Sequence, residues 1–595
     1  MKHESRYLVT TADEGTWKFD RPIIFLGEWC CPYGRRDIWQ NMDAIFAAPY
    51  GLGKEKKDAD YHEAKILLEK LFPKLCEVLN LYHGENHDER FWRILLGHWL
   101  SRYVNVMLNR FNTLRQCLQT YNISGTTVYT DSNTALVTQN SHSAILAFND
   151  DRWNNALIAR FLNILEIDSF PIEQITGYPS KNIDIDKSAK VIKPKRNIIK
   201  YCRQRARVFL SYFSTDGDAF IINSYLPLKE EVKLQLLLGQ CPQLWISQKN
   251  YEVVEPDHLL RESLASKMGR KSGNILEDAL FALVFELIPI CYLEGFSNLI
   301  KESQHLTWPK KPKFIFTSNN FDTDELFKIW TATKVKLGIK YFTGQHGNNY
   351  GTYRYMHPAI EEVTADKFIT WGWEDGLTQH TPAFTLKTVG KKIQKYNAEG
   401  GLLLIELHSA QRLVNWDDTH EYNLYFEDQI EFVKNLDLIP KKELTIRLHS
   451  SSKKLKWCEE SRWQEVDKSL KIDQGDIPIG KLISNSRIVV HSYDSTGFLE
   501  TLSQNIPSLA FWQNGLDHLR DNAVNYYQLL IDVGILHLTP ISIAQKVNEV
   551  WDSVDDWWGQ KELQDARSIF CEKYARQSAR PLHELKEILT KQSQN

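Results

Sequence analysis

The feature that most constrains this chain is the alternation of short apolar runs with amphipathic runs between residues 402 and 511. Short apolar runs bounded by turns predict buried strands, and the amphipathic runs between them predict helices. The predicted strands are 402–407, 444–448, 487–491 and 508–511, and the predicted helices are 424–435, 479–484 and 498–504. Strands that alternate with helices form a parallel sheet covered on both faces. We therefore predict a Rossmann-like domain, which we place at residues 391–545.

The same alternation occurs upstream of a polar linker at 387–401. A strand at 22–26 begins this part, and apolar residues recur at three- and four-residue spacing between 61 and 118, which indicates a helical insertion at about residues 55–125. Further strands are predicted at 313–317, 340–343 and 366–371. We assign residues 1–390 to one N-terminal Rossmann-like domain. Residues 546–595 are predicted to be helical and to cross back to that domain. The predicted class is α/β, with two Rossmann-like domains facing across a cleft.

Composition excludes several other classes of protein. The 595 residues include 72 basic and 75 acidic side chains, so no net field attracts nucleic acid. The first 20 residues lack an apolar signal segment, and the longest apolar stretch, 279–292, is interrupted by Glu286 and is too short for a bilayer. Nine cysteines form no Cys-x-x-Cys pair, and no Asp-x-Asp is directly flanked by an apolar strand. We expect a cytoplasmic protein without metal or cofactor, at most peripherally attached to the inner face of the membrane.

The strongest functional signal is the turn Ser495-Thr496-Gly497, which joins the predicted strand 487–491 to a helix. The free backbone N–H groups and the dipole of a helix N-terminus suit a phosphate group. Glu500, one turn further, is expected to accept ribose hydroxyls. The alternative is that Ser495 only caps an ordinary helix.

Arg447, His449 and Ser450 end the predicted strand 444–448. Neighbouring parallel strands present their C-terminal ends to one crevice, so we expect these side chains to face the Ser495-Thr496 turn and to bind the same phosphate. With Gly497 and Glu500, they complete the predicted donor site. A surface or structural role for the Arg-x-His pattern is the alternative.

Catalytic candidates come from the first part of the chain. His346, in Gln345-His346-Gly347, follows a predicted strand and suits sugar binding or proton transfer, with a buried structural histidine as the alternative. Glu28 follows the strand 22–26 and is our first choice of catalytic carboxylate. Asp322 is a second, although it could serve a helix start. The residues predicted to contact the sugar or the acceptor are Gln345, Asn320, Asp151 and Tyr350.

One stretch of the chain resembles the donor-binding domain of GT-B glycosyltransferases, particularly bacterial enzymes acting on surface polysaccharide. It consists of a strand, the Ser-Thr turn, the helix with Glu500 and the following strand at 505–508. Residues 446–450 are similar to the His-Pro motif of CMP-sialic acid and CMP-Kdo transferases, with Ser450 in place of proline. Segments of the first part resemble a group of bacterial surface-carbohydrate transferases. These segments are 26–30, 317–324, 344–351 and 365–372.

This resemblance implies a metal-independent glycosyltransferase. The implied donor is a CMP-linked octulosonic or nonulosonic acid, or else a UDP or dTDP sugar, and the acceptor is a surface glycan or a lipid-linked glycan. Three alternatives stay open: an epimerase of the UDP-N-acetylglucosamine 2-epimerase type, a phosphotransferase of the CDP-glycerol type, and a non-catalytic carbohydrate-assembly protein.

Overall fold

The chain folds around three β-sheets in the computed structural model. The structure describes residues 4–130, 134–176, 210, 212–247, 254–269, 272–391, 396–409, 412, 422–454 and 457–591. All pairings between the strands of these sheets are parallel, so the connections between strands run over the sheet faces. The predicted α/β class is confirmed.

The first sheet lies in the N-terminal third of the chain. Its strands are β1 (Arg6–Val9), β2 (Ile23–Phe25), β3 (Ala44–Phe46), β4 (Ile123–Tyr129) and β5 (Ile172–Ile175). They are ordered β3-β2-β1-β4-β5, so the winding direction reverses between β1 and β4, as in a Rossmann-type sheet. The central strand β1 lies in a stretch that the sequence analysis treated only as a polar N-terminus.

The predicted helical insertion is confirmed, and it forms the crossover from β3 to β4. A short helix α1 (Arg36–Trp39) precedes β3, and the crossover consists of α2 (Lys54–His83) and α3 (Glu89–Thr120), which are 30 and 32 residues long. The Asp88 side chain starts α3 by accepting the backbone N–H of Phe91 at 2.8 Å. After β4 follow α4 (Ser141–Phe148) and α5 (Asp151–Ile164).

The second sheet shows that residues 1–390 contain two sheets, where the sequence analysis assigned one Rossmann-like domain. Its strands are β6 (Phe220–Ile221), β7 (Phe314–Thr317), β8 (Lys340–Gly344), β9 (Lys367–Thr370) and β10 (His380–Pro382). They are ordered β10-β9-β8-β7-β6. The α-helices described in this part are α6 (Leu228–Leu237), α7 (His258–Ala265), α8 (Ile275–Leu287), α9 (Phe296–Gln304), α10 (Glu325–Lys336) and α11 (Ile360–Thr364).

The third sheet confirms the Rossmann-like domain predicted between residues 402 and 511. Its order is β13-β12-β11-β14-β15-β16, the six-strand Rossmann arrangement. The strands are β11 (Gly401–Ile405), β12 (Leu444–Arg447), β13 (Lys471–Asp473), β14 (Ser486–His491), β15 (Ser508–Phe511) and β16 (Leu536–His537). The helices are α12 (Tyr422–Lys434), α13 (Leu438–Lys442), α14 (Glu459–Val466), α15 (Ile479–Ser484), α16 (Thr496–Ser503), α17 (Asp521–Asp532), α18 (Pro540–Val550), α19 (Val554–Trp558), α20 (Lys561–Tyr574) and α21 (Pro581–Lys591).

Apolar packing ties the second and third sheets together. Leu582, Leu585 and Leu589 of α21 belong to one hydrophobic cluster with Phe314 and Phe316 of the second sheet, so the last helix returns to an earlier part of the chain. The tryptophans that follow β9 belong to the hydrophobic core of the third sheet. In the part of the chain that the structure describes, no helix has the length and apolar character needed to cross a bilayer.

Candidate functional site

A cavity of about 820 Å³ lies where the helical insertion, the second sheet and the N-terminus of α16 meet. This volume is within the range of small-molecule sites. The insertion contributes His98 and Arg102, the loop after β8 contributes His346 and Tyr350, and α16 contributes Thr496. The cavity therefore has walls from three separate parts of the chain.

The loop after β8 is held in place by Gln345. This side chain is 1 % exposed. Its Oε1 accepts the backbone N–H of Trp371 at 2.9 Å and the indole N–H of Trp373 at 2.8 Å, and its Nε2 donates to the Gly347 carbonyl at 2.9 Å. Gln345 was predicted to contact a sugar, but the structure places it beneath the loop, away from the cavity lining.

His346 is the first member of a hydrogen-bonded chain of side chains. Its Nδ1 lies 3.0 Å from the Tyr350 hydroxyl, and that hydroxyl donates to Glu361 on α11. Because the Tyr350 hydrogen points to the carboxylate, the tyrosine oxygen can accept Nδ1–H of His346. The second ring nitrogen, Nε2, then carries the lone pair, which is the form of histidine that acts as a base.

Burial sets the protonation of these groups. It lowers the pKa of His346 to about 4, with Asp322 opposing and Lys387 reinforcing the effect. It raises the pKa of Glu361 to about 7. Near neutral pH His346 is therefore unprotonated, and Glu361 is close to half ionised. A base and a carboxyl group whose pKa lies near the working pH are suited to proton transfer.

Asp322, a predicted catalytic carboxylate, lines the cavity and is paired with Arg102 of α3. The two guanidinium nitrogens donate to its two oxygens at 2.5 and 2.9 Å. Burial alone would raise the pKa of Asp322, but Arg102 outweighs this and holds that pKa well below its ordinary value. The ammonium of Lys328 donates to the Asp322 carbonyl oxygen at 3.1 Å. Asp322 is therefore an ionised, fixed charge and a poor proton acceptor.

The N-terminus of α16 lines the cavity beside the loop after β8. Ser495 caps the helix by accepting the Phe498 backbone N–H at 3.0 Å. The Thr496 hydroxyl accepts the backbone N–H of Asn348 at 2.9 Å, which joins α16 to the loop after β8. Lys387, another cavity residue, lies 3.1 Å from the Glu500 carboxylate. Of the seven predicted donor-binding residues only Thr496 lines the cavity; Ser495 and Gly497 flank it in the same turn.

The structure does not bring the end of β12 together with this turn. Strand β11 lies between β12 and β14. The Arg447 guanidinium pairs with Asp473 on β13 and donates to the Ile477 carbonyl at 2.7 Å. The His449 ring stacks on His408 with a centroid distance of 4.3 Å, and Ser450 continues the same turn next to Gly475. These predicted donor residues form a separate cluster.

Glu28 also lies outside the cavity lining. It follows β2, as predicted, but its carboxylate accepts the Tyr422 backbone N–H at 2.6 Å and the Asn423 side-chain amide at 2.6 Å. Both partners stand at the N-terminus of α12, where a negative charge is stabilised by the helix dipole. Glu28 thus connects the first sheet to the third-sheet unit.

Asp151 and Asn320 have structural partners. The Asp151 carboxylate accepts the Ala12 backbone N–H at 3.1 Å and lies 3.5 Å from the guanidinium of Arg412. The Asn320 amide donates to Asp324 at 2.7 Å, beside the start of α10. Neither residue lines the cavity, so Tyr350 is the one predicted sugar-contacting residue found there.

Several cavity residues were missed by the sequence analysis. His98 and Arg102 are four residues apart on α3, so they share one helix face, a signal that was available. Asn348 belongs to a segment that was noted without its own assignment. Glu361 lies on a five-residue helix, too short to show periodicity. Among the described residues, no group of three or more His, Cys, Asp or Glu side chains is arranged to hold a metal ion.

Comparison with known proteins gives one match over most of the chain, to the LIC12162 family of transferases, at residues 6–589. No curated protein sequence matches. Among solved structures, spinosyn rhamnosyltransferase SpnG with spinosyn aglycone aligns with a TM-score of 0.27 and 10 % identity over 50 % of this chain and 80 % of that one. WaaG, a glycosyltransferase involved in lipopolysaccharide biosynthesis, aligns with a TM-score of 0.24 and 12 % identity over 50 % and 95 %. These scores are too low to support a conclusion. The family match confirms the predicted transferase class: the chain belongs to the LIC12162 family of transferases.

Proposed function

We propose that the chain transfers a glycosyl group from a nucleotide-activated donor to a glycan acceptor. The observation that carries this proposal is the His346–Tyr350–Glu361 chain, which lines the same cavity as Thr496 at the N-terminus of α16. A base and an anion-binding helix end then line one small-molecule space. In this proposal the second and third sheets take the parts of the two facing domains of the GT-B arrangement.

In this mechanism Nε2 of His346 removes the proton from the acceptor hydroxyl. The acceptor oxygen bonds to the anomeric carbon, the bond from that carbon to the phosphate oxygen breaks, and the nucleotide leaves with the electron pair. Tyr350 and Glu361 hold the imidazole and stabilise its protonated form. The α16 N-terminus, the Thr496 hydroxyl and Lys387 are placed to stabilise the charge on the leaving phosphate.

For the donor we propose a CMP-linked octulosonic or nonulosonic acid, with a UDP or dTDP sugar as the alternative, and for the acceptor a bacterial surface glycan, free or lipid-linked. The preference for CMP comes from Arg447 and His449, which lie outside the cavity. The nucleotides therefore have to be compared directly. A thermal-shift series with CMP, CDP, UDP and dTDP is expected to show one preferred nucleotide, because binding to the folded state raises the melting temperature.

The reaction is tested with that nucleotide's sugars and an oligosaccharide acceptor. His346→Ala is expected to lower turnover by about 10²- to 10⁴-fold and to leave nucleotide affinity unchanged. Thr496→Val is expected to weaken nucleotide binding. His142→Ala, at an exposed position on α4, is the control. Full turnover in His346→Ala would refute the assignment of the base.

Product analysis separates the alternatives. A glycosyltransferase leaves no phosphorus in the product, whereas a phosphotransferase of the CDP-glycerol type does. An epimerase converts the sugar nucleotide without acceptor, and an assembly protein binds it without turnover. Any of these three results would replace the proposal.

A further inference from the structure

Two residues that line the cavity, Asn348 and His98, each have a buried polar side-chain atom that lacks a hydrogen-bond partner among the described residues: Oδ1 of Asn348 and Nε2 of His98. Asn348 is 7 % exposed, and His98 is largely enclosed by α3 and its neighbours. Buried polar atoms in native proteins are nearly always bonded, so an exception inside a ligand-sized cavity calls for an explanation. Both residues line the cavity that His346 also lines.

The side chain of Asn348 cannot turn to satisfy this oxygen elsewhere. Its Nδ2 donates to Oδ1 of Asp494 at 2.6 Å, and its backbone N–H donates to Thr496 at 2.9 Å. Asp494 is fixed in turn by His518 at 3.1 Å and by the Tyr527 hydroxyl at 2.9 Å. Because the carboxylate requires the nitrogen end of the amide, the oxygen end is the one left without a partner. Asn348 therefore offers a fixed acceptor atom.

The His98 ring is fixed by stacking. It lies almost parallel to Phe321, with ring centroids 5.3 Å apart and an angle of 12°. Its Nε2 is 3.6 Å from the Glu361 carboxylate, which is beyond hydrogen-bond length. Burial lowers the pKa of His98 to about 3, so the ring is neutral at physiological pH. A neutral imidazole nitrogen either donates or accepts, depending on the tautomer.

The chemistry of these two atoms selects among ligand groups. The amide oxygen of Asn348 requires a donor, and an ionised phosphate has none. A hydroxyl donates to the amide oxygen, and a hydroxyl can also pair with either tautomer of His98. The backbone of Asn348 is hydrogen-bonded to Thr496, where the donor phosphate is proposed to bind. The part of the ligand that is attached to that phosphate is therefore the part nearest to Asn348. The ligand that fits is a polyhydroxylated ring attached to a phosphate.

We propose that Asn348 Oδ1 and His98 Nε2 bind hydroxyl groups of the sugar that is transferred. This inference rests on the proposed function, which it extends by assigning the sugar subsite. A site that bonds a substrate hydroxyl discriminates strongly against an analogue that lacks it, because its own polar atoms then stay unpaired. Asn348 and His98 are thus residues that determine donor specificity. The ribose of the nucleotide offers the same chemistry, so the experiment separates the two sources.

The test measures calorimetric affinities of the full chain for a nucleotide alone and for its sugar conjugate. The probes are UDP with UDP-glucose, dTDP with dTDP-glucose, and CMP with CMP-sialic acid. For the pair that binds, Asn348→Ala and His98→Phe are each expected to lower the affinity for the sugar nucleotide by about 10- to 100-fold. The affinity of each variant for the nucleotide alone is expected to stay unchanged. His98→Phe keeps a ring to stack on Phe321. Asn435→Ala, at an exposed asparagine just after α12, is the matched control.

Each outcome has one meaning. Unchanged affinity for the sugar nucleotide in both variants would overturn the sugar subsite. An equal loss of affinity for the nucleotide alone would also overturn it, because that result would assign these atoms to the ribose. Neither result affects the proposed reaction. If no nucleotide and no sugar nucleotide binds the wild-type chain, the proposed function itself fails, and the subsite with it.

Discussion

Replacing Glu406 with glutamine is expected to change how the stability of the fold depends on pH. Glu406 follows β11 and is 3 % exposed. Its Oε1 accepts the Trp463 indole N–H at 2.8 Å. Burial raises its pKa to about 8, and Glu459 acts in the same direction. The folded chain therefore binds a proton at Glu406 far more tightly than the unfolded chain does.

The size of the effect follows from the two pKa values, about 8 in the folded chain and 4.5 as the ordinary value. A raised folded pKa contributes stability that is fully present below pH 4.5 and is lost as the pH rises through about 8. Each pKa unit corresponds to about 1.4 kcal/mol, so wild type loses about 3 to 4 kcal/mol at this position between pH 5 and pH 8. Glutamine stays neutral and its oxygen can still accept from Trp463.

Urea unfolding at pH 5, 6.5 and 8 measures the difference. Between pH 5 and pH 8, the free energy of unfolding of Glu406→Gln should rise by about 3 to 4 kcal/mol relative to that of wild type. Glu431→Gln, an exposed position on α12, is the control and should run parallel to wild type. If Glu406→Gln also runs parallel to wild type, then Glu406 is ionised in the folded chain and the argument from burial is refuted.

Three further predictions concern the site and the packing. Glu361→Gln should lack the fall in kcat/KM that we expect wild type to show as the pH drops through about 7, since that fall comes from loss of the carboxylate charge that strengthens the bond from Tyr350, and glutamine has no charge to lose; an unchanged pH–rate profile would contradict this. Lys328→Met should lower stability by about 3 to 5 kcal/mol in urea unfolding, because it leaves the buried carboxylate of Glu325 without its cation. Leu585→Ala should lower the free energy of unfolding by about 2 to 5 kcal/mol, because it leaves a cavity in the cluster. It should also speed amide hydrogen exchange in β7, which is measured by mass spectrometry.

The third sheet could be predicted from the sequence because its central strands are apolar runs of ordinary length. Its edge strands could not, since β13 (Lys471–Asp473) is three residues long with charge at both ends. Strand β1 is central, but its four residues begin with an arginine. The division of the first part into two sheets leaves no mark in the periodicity. Only long-range pairing separates them.

The site shows a similar limit. Sequence indicates which side chains follow a strand, and four predicted residues, His346, Tyr350, Asp322 and Thr496, do line the cavity. It does not indicate which strand ends are neighbours. Arg447 is separated from the α16 turn by β11. Its guanidinium pairs instead with Asp473 on β13, and no pattern in the sequence around Arg447 predicts that pairing.

The position of α21 has a consequence for the order in which the chain folds during synthesis. One face of the second sheet, with Phe314 and Phe316, is covered by leucines that are translated more than 250 residues later. At about 5 to 20 residues per second that face waits roughly 10 to 50 s for its partner. During this interval these apolar side chains lack the packing that α21 contributes, and a premature stop before residue 581 removes that packing permanently.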